Sequence, residues 1–308
     1  VLNRTVTIHG NGFTLNGSDE ARIFNVKNPN VLLDNIIFVN GGAILGGAVY
    51  GNCSIRNSTF YNNSKYQYGR QGGAVYGNCN IEDSKFMNNE AYNGGGAVYG
   101  NATIRNCTFM NNKALYYGGA AVYGNCSIIN STFYNNTLTE YSAQGGAVYG
   151  ECYIENSTFI NNSASNGGAI GGNNIEIRNC TFDNNSASSY GGAIYGNATV
   201  LDSRLINNRA SSYGGATNGN VTAKNCTFEN NRGYYGGAMY NGVAIDNKFI
   251  NNTADYGGAI YYGSATNCNF ENNSGSRGGA MYGGYASSSN FTHNNATYDG
   301  GAIYNVMV

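Results

Sequence analysis

Acidic and imidazole side chains are the residues most able to do chemistry in this chain, and they are sparse. The 308 residues include 17 Asp and Glu and two His, His9 and His293, near opposite ends of the sequence. Polysaccharide cleavage needs two carboxyl groups spaced for acid–base work, and Ca²⁺ needs clustered oxygen ligands. The loose groups of charged residues are Asp19–Glu20, Glu82–Asp83, and Glu229 with Lys224. We therefore expect no catalytic residues, no metal, no cofactor and no enzyme activity.

Tyrosine is the more suggestive residue type, because the chain has 27 Tyr and no Trp. Exposed aromatic patches mark contact surfaces, and Tyr offers a large contact area at a low cost in conformational entropy. The alternative is that the rings lie flat and cover turns. The candidate contact residues are Tyr66, Tyr68, Tyr92, Tyr116, Tyr117, Tyr141, Tyr190, Tyr213, Tyr234, Tyr235, Tyr256 and Tyr298.

Asn-x-Ser/Thr sequons recur along the chain, and in a secreted protein each is an acceptor for N-glycosylation. Part of their number follows from the repetition of the sequence itself, and inward-facing Asn side chains cannot be modified. We expect a few modified sites on the wider turns. The candidates are Asn3, Asn16, Asn62, Asn101, Asn135, Asn161, Asn184, Asn197, Asn220, Asn251, Asn272 and Asn295.

A repeat must position these residues. Gly-Gly-Ala-(Val/Ile/Met)-Tyr returns about every 21–26 residues, and Phe-x-Asn-Asn follows some twelve residues later. A period of this length indicates units that bury their apolar faces only against their neighbours. The 46 glycines oppose helix formation, whereas short alternating runs between Gly and Asn favour strands and turns. We predict an all-β parallel β-helix of about 12–14 coils.

Variation among the copies indicates which side chains point inward. The residue after the repeated Ala is almost always Val, Ile or Met, and the following Tyr column is expected outside. Five residues before each Phe, a second interior column shrinks from Ile55 to Ala286, which predicts a taper toward the C-terminus. The Asn residues after each Phe are expected to stack and hydrogen bond from coil to coil.

The eight cysteines occupy two positions of the repeat. Cys53 with Cys79, and Cys126 with Cys152, fall on adjacent coils, where stacked Cα atoms lie about 4.8 Å apart and within disulfide range. The other four, Cys107, Cys180, Cys226 and Cys268, are too far apart to bridge. We expect mainly buried free thiols, with Cys53–Cys79 and Cys126–Cys152 as the candidate disulfides.

Composition excludes some partners. A net charge of −1 without a basic patch argues against nucleic acid, and no run of 18 apolar residues exists to span a membrane. No signal peptide is visible. One uninterrupted repeat predicts one elongated domain, with residues 1–45 as atypical capping coils continuous with the repeats of 46–308. Because the sequence ends partway through a coil, we expect either a longer natural protein or ends that stack head to tail.

The repeat signatures resemble those of chlamydial polymorphic outer-membrane proteins. They resemble more closely the adhesin-like surface proteins of methanogenic archaea, which share Asn-rich units such as Asn57-Ser58-Thr59-Phe60 and an opening like that of residues 7–17. The resemblance covers essentially the whole chain and implies a right-handed parallel β-helix displayed on a cell surface. No catalytic residues carry over from it, and it specifies no ligand.

The sequence therefore supports three functional hypotheses. The leading one is a non-enzymatic extracellular protein, an adhesin or rod-like spacer, whose Tyr and Asn stripes contact glycans or proteins of other cells. The second is a structural protein that polymerises with itself, head to tail, into a filament or sheath. The third and least favoured is a polysaccharide lyase or hydrolase.

Overall fold

The computed structural model describes residues 1–64 and 69–308, and these residues form strands and turns without a helix. They divide into a first unit, Val1–Ser157, and a second unit, Thr158–Val308. Within each unit every coil pairs in parallel with the next, as Phe60 pairs with Phe86. The all-β parallel solenoid predicted from the repeat is confirmed. The subdivision at residue 45 stays a prediction.

Each coil has up to three faces. The first face carries the Val-Tyr strand and the strand after it, the second carries the Phe strand, and the third follows the Asn-Asn pair.

In the first unit, the first face contains Val6–His9, Phe24–Asn25, Val31–Asp34, Val49–Tyr50, Cys53–Arg56, Val75–Tyr76, Cys79–Glu82, Val98–Tyr99, Ala102–Arg105, Val122–Tyr123, Cys126–Ile129, Val148–Tyr149 and Cys152–Glu155. The second face contains Thr14–Asn16, Ile37–Val39, Thr59–Tyr61, Lys85–Met87, Thr108–Met110 and Thr132–Tyr134. The third face contains Glu90–Asn93, Lys113–Tyr116 and Thr137–Leu138.

In the second unit, the first face contains Ile170–Arg178, Ile194–Leu201, Thr217–Asn218, Val221–Lys224, Met239–Tyr240, Val243–Ile245, Ile260–Thr266, Met281–Ser287 and Ile303–Tyr304. The second face contains Thr158–Ile160, Thr181–Asp183, Arg204–Ile206, Thr227–Glu229, Lys248–Ile250, Asn269–Glu271 and Asn290–Thr292. The third face contains Ser163–Asn166, Ser186–Tyr190, Arg209–Ala210, Thr253–Tyr256, Ser274–Arg277 and Asn295–Asp299.

A column of stacked phenylalanine rings fills the core behind the second face. In the first unit the rings of Phe38, Phe60 and Phe86 are fully buried, with consecutive centroids 4.5 Å apart. Full burial of such a side chain stabilises the fold by about 1.5–3 kcal/mol. In the second unit Leu205 stands in register between Phe182 and Phe228, as its place in the sequence repeat predicts.

The second unit narrows along the chain. On the interior of its first face, Ile177 pairs with Val200 and Val200 with Ala223, and the column then continues with alanines to Ala286. The separation between stacked Asn residues falls from 23 residues to 21 over the same coils. Smaller interior side chains and shorter coils occur together because the enclosed volume must stay filled.

A ladder of buried asparagines fixes the corner after the second face. Asn112 donates its Nδ2 to the carbonyl oxygen of Phe86 at 3.0 Å and to Oδ1 of Asn136 at 3.0 Å. Its own Oδ1 accepts from the backbone N–H and the Nδ2 of Asn89. The preceding Asn111 has a left-handed φ of 55°, which Asn tolerates better than most residues. The Asn-Asn pair is therefore a turn residue followed by a buried coil-to-coil linker.

The Gly-Gly pair is required by close backbone approach. Gly95 has a φ of 57°, and a Cβ on Gly96 would lie 2.2 Å from the carbonyl oxygen of Ala120 on the next coil. A side chain at the first position strains the backbone, and one at the second collides with the neighbouring coil.

We predict that Asn112→Ala lowers the free energy of unfolding by about 2–5 kcal/mol, because it leaves several buried polar groups without partners. Asn80 is exposed on a neighbouring coil, so Asn80→Ala is expected to change stability by less than about 0.5 kcal/mol. Urea unfolding followed by circular dichroism measures both variants. Equal losses in the two variants would contradict a structural role for the ladder.

Candidate functional site

Two rows of tyrosines lie side by side on the second unit and are here named the tyrosine surface. One row comprises the Tyr of the Gly-Gly-Ala-x-Tyr copies, and the other ends the third face. Asn218 interrupts the first row, because it lies in register between Tyr195 and Tyr240. The first row contains Tyr195, Tyr240, Tyr261, Tyr282 and Tyr304, and the second contains Tyr190, Tyr213, Tyr235 and Tyr256. The rows touch edge to face, with centroids 4.7 Å apart for Tyr213 and Tyr240.

Stacking within each row follows from the register of the coils. Tyr213 and Tyr235 have ring centroids 5.0 Å apart, and Tyr261 and Tyr282 have centroids 5.1 Å apart. In-register strands lie about 4.8 Å apart, which is within the favourable distance for offset aromatic stacking. Because the ring faces cover one another, a row presents mainly ring edges and hydroxyl groups outward.

Three phenol groups near the middle of the tyrosine surface have a raised pKa. Burial and neighbouring phenols raise the pKa of Tyr261 to about 12. Burial also raises the pKa of Tyr235 and of Tyr240 above the ordinary value for tyrosine. These three phenols are therefore uncharged hydrogen-bond donors and acceptors at neutral pH.

The first unit carries a similar row on its first face. It contains Tyr50, Tyr76, Tyr99, Tyr123 and Tyr149, with consecutive centroids 4.7–5.5 Å apart. Tyr92 and Tyr116 add a tilted pair on the third face at 4.9 Å. The prediction placed this Tyr column outside but did not name it as a contact surface. Its recurrence beside Gly in successive copies was the signal that could have identified it.

The predicted contact tyrosines occupy different environments. Tyr117, Tyr141, Tyr190, Tyr234 and Tyr298 are exposed, whereas Tyr92, Tyr116, Tyr213, Tyr235 and Tyr256 are half-buried in pairs or rows. Tyr66 and Tyr68 lie outside the described residues. The exposed group fits the contact interpretation, and the half-buried group packs against other tyrosines. The contact role stays a prediction.

The candidate glycosylation sites are mostly at the surface. Asn62 and Asn161 are half-buried, and the other ten candidates are exposed. Some already use their amide groups: Oδ1 of Asn101 accepts from the backbone N–H of Asn125, and Nδ2 of Asn135 donates to Asn111. Glycosylation at any of them stays a prediction.

An exposed asparagine row borders a groove in the first unit. The backbone N–H of Asn78 donates to Oδ1 of Asn52, and that of Asn101 donates to Oδ1 of Asn78, both at 2.8 Å. The groove has a volume of about 480 Å³ and is also lined by Ser54 and Thr103, with the largely buried Cys53, Cys79 and Cys126 of the first cysteine column at its floor. Its lining is polar and uncharged.

The cysteines of that column differ from one another. Cys126 and Cys152 form a disulfide with Cα atoms 4.6 Å apart, while Cys53 and Cys79 are thiols with sulfur atoms 3.6 Å apart. The second set consists of buried thiols. Burial raises the pKa of Cys107 and of Cys226 to about 12, so these thiols are poor nucleophiles.

A polar cluster surrounds Asp34 on the first face of the first unit. Arg56 on the next coil donates to both carboxylate oxygens at 3.1 and 3.2 Å, and Nδ1 of His9 lies 2.9 Å from Oδ2. Asn57 donates to Oδ1 at 3.1 Å. The Arg56 guanidinium, with His9 and Asn57, holds the pKa of Asp34 at about 2. The cluster ties three consecutive coils together.

Within the described parts of the chain, no group of three or more His, Cys, Asp or Glu residues is arranged to hold a metal ion. In the part of the chain that the structure describes, no helix is long and apolar enough to cross a membrane.

A match between this sequence and a family model identifies the family of the chain. The family described as "Right handed beta helix region" matches residues 118–275, just over half of the chain, and the chain therefore belongs to it. The Chlamydia polymorphic membrane protein repeat matches residues 288–306, which supports the chlamydial part of the resemblance. The resemblance to archaeal adhesins stays a prediction. No curated protein matches the chain significantly.

Several solved structures are distantly similar. A PL6 alginate lyase in complex with a trisaccharide shares 13% identity and a TM-score of 0.46, over 91% of this chain and 72% of that one. The tailspike protein of E. coli bacteriophage HK620, in complex with a pentasaccharide, shares 12% identity and a TM-score of 0.35, over 90% and 56%. Likenesses this distant carry no argument about activity or substrate.

We predict that the Asp34 cluster makes stability depend on acid pH. Because the folded-state pKa is lowered, the cluster stabilises the native state above the ordinary carboxyl value of about 4. That contribution is lost as pH falls through about 2. Asp34→Asn should therefore destabilise the protein at pH 7 and progressively less toward pH 2. Urea unfolding across this range tests it, with the exposed Glu20→Gln as control. A pH-independent difference between wild type and Asp34→Asn would refute the assignment.

Proposed function

We propose that this chain is a non-enzymatic cell-surface protein, an adhesin or a spacer, that contacts other surfaces through its tyrosine and asparagine rows. The right-handed β-helix family and the polymorphic membrane protein repeat support display at a surface. The tyrosine surface is the observation that carries the contact role. It repeats tyrosine at the same two positions of several coils.

Repetition determines how such a surface binds. A single phenol edge gives a weak contact, but a partner with its own repeated groups engages several coils at once. Once the first contact forms, each further one is intramolecular, so avidity exceeds the affinity of one contact by about 10²–10⁴. A repetitive glycan or protein coat on another cell supplies such a partner.

The tyrosine and asparagine rows also suit a non-catalytic role. The pKa values of Tyr261 and of the buried thiol Cys107 are raised, so both groups are protonated at neutral pH. Groups of this kind donate and accept hydrogen bonds but supply neither a charged nucleophile nor a general base near pH 7. We therefore assign the rows to recognition rather than catalysis.

We predict that replacing Tyr213, Tyr235 and Tyr256 together by Ser lowers adhesion of chain-coated beads to partner cells by about tenfold or more, because several coupled contacts are lost at once. The matched control replaces Tyr61 and Tyr134 by Ser, and both are exposed tyrosines on the second face of the first unit. Beads coated with this control variant should retain adhesion. Bead retention under flow measures the effect. Equal retention by all three proteins would remove the contact role from the tyrosine surface.

A further inference from the structure

Two arginines stand on adjacent coils of the second unit with the same orientation. Arg209 and Arg232 are direct neighbours in the parallel ladder. Both side chains are exposed, while Ala210, one residue on, is buried. Outward-facing side chains in register on neighbouring strands start about 4.8 Å apart.

This pair is electrostatically unfavourable in isolation. Like charges directly opposite on adjacent strands repel and destabilise the pairing. Other arginines of this unit have acidic partners. Nε of Arg277 lies 3.1 Å from Oδ2 of Asp299, and Nη2 of Arg204 lies 3.9 Å from Oε2 of Glu229. Among the described residues, neither Arg209 nor Arg232 forms an ion pair. An anion bound between the two guanidinium groups would relieve the repulsion.

The two arginines border a small surface pocket. Its volume is about 190 Å³, and its other polar side chains are Ser211, Tyr234, Thr253 and Asp255. Tyr234 is 43% exposed, and its ring lies 83° from the plane of Tyr235 and 60° from that of Tyr256. Unlike the stacked rings of the row, this ring is turned out of the row. It places an aromatic ring beside two cations and two hydroxyl groups.

We propose that Arg209, Arg232 and Tyr234 form a binding subsite for an acidic sugar, one that carries a carboxylate or a sulfate ester. The guanidinium groups bind the anionic group through charge-assisted, paired hydrogen bonds. Tyr234 packs against the C–H groups of the sugar ring, and the hydroxyls of Ser211 and Thr253 bind its hydroxyl groups. This inference rests on the proposed surface role and names a class of ligand for it.

The surroundings favour a sugar over an acidic peptide. An acidic peptide needs the cations but has no use for an aromatic ring and hydroxyl groups placed next to them. The chain as a whole has a net charge of −1, so it does not attract polyanions in general. Binding of a polyanion must therefore come from a local site.

Affinity electrophoresis of the purified chain tests the subsite. The gels contain polygalacturonate as the carboxylate glycan, dextran sulfate as the sulfate glycan, neutral dextran or polyglutamate. We expect retardation by an acidic glycan and none by dextran, and the stronger of the two acidic glycans identifies the anionic group. Arg209→Gln with Arg232→Gln should weaken binding about tenfold or more.

Matched variants separate the subsite from general charge. Arg105→Gln with Lys113→Gln removes the same charge from the first unit and should leave binding unchanged. Tyr234→Ala should weaken glycan binding, and Asp255→Asn should strengthen it by removing a competing anion. All these side chains are exposed, and circular dichroism checks that each variant is folded.

The subsite would be overturned if neither acidic glycan retarded the chain, or if the two charge-matched double variants weakened glycan binding equally. It would also be overturned if polyglutamate bound as tightly as the acidic glycans and Tyr234→Ala left polyglutamate binding unchanged. The assay uses the isolated chain in solution and no cells. Failure of the subsite therefore leaves the adhesion result intact, and failure of adhesion leaves glycan binding intact.

Discussion

In the buried asparagine ladder, Asn208 donates its side-chain amide to the carbonyl oxygen of Phe182 and to Oδ1 of Asn231, and its own Oδ1 accepts from Asn185 on the preceding coil. These hydrogen bonds fix the register of one coil against the next. A shift of that register by one residue would turn every inward side chain outward. The stacked phenylalanines, the Gly-Gly contacts and the surface rows all require this register. The ladder occupies the corner where a chain would otherwise leave buried backbone groups unpaired.

Because the register between coils is fixed, one position of the repeat becomes a row of similar side chains on the surface. A Tyr at one position of the repeat becomes a row of rings about 5 Å apart, and an Asn becomes a chain of hydrogen bonds. Such rows cost little to form because each ring gains a stacking partner. The same rule makes exceptions visible. Arg209 above Arg232 breaks the pattern of neutral or paired residues, and Tyr234 breaks the pattern of stacked rings.

The sequence predicted the fold and its interior well, because the interior columns repeat with few exceptions. It could not distinguish the two Asn of each pair, since only the backbone shows that Asn111 takes the left-handed turn and Asn112 is buried. The sequence alone did not indicate the polar cluster in which Arg56 bonds Asp34 on the preceding coil, with His9 and Asn57 beside it, because His9 and Asp34 precede the regular repeats. The orientation of individual rings, such as Tyr234, depends on neighbours from three coils and is not encoded in one column.

We propose that the tyrosine surface of the second unit is the face that contacts a partner. Oxidative footprinting read by mass spectrometry tests it directly, by comparing the free chain with the chain bound to partner cells. We expect Tyr213, Tyr235 and Tyr256 to be protected on binding, with the labelling of Tyr61 and Tyr134 unchanged. Unchanged labelling of the tyrosine surface in chain that is demonstrably bound would show that another face makes the contact.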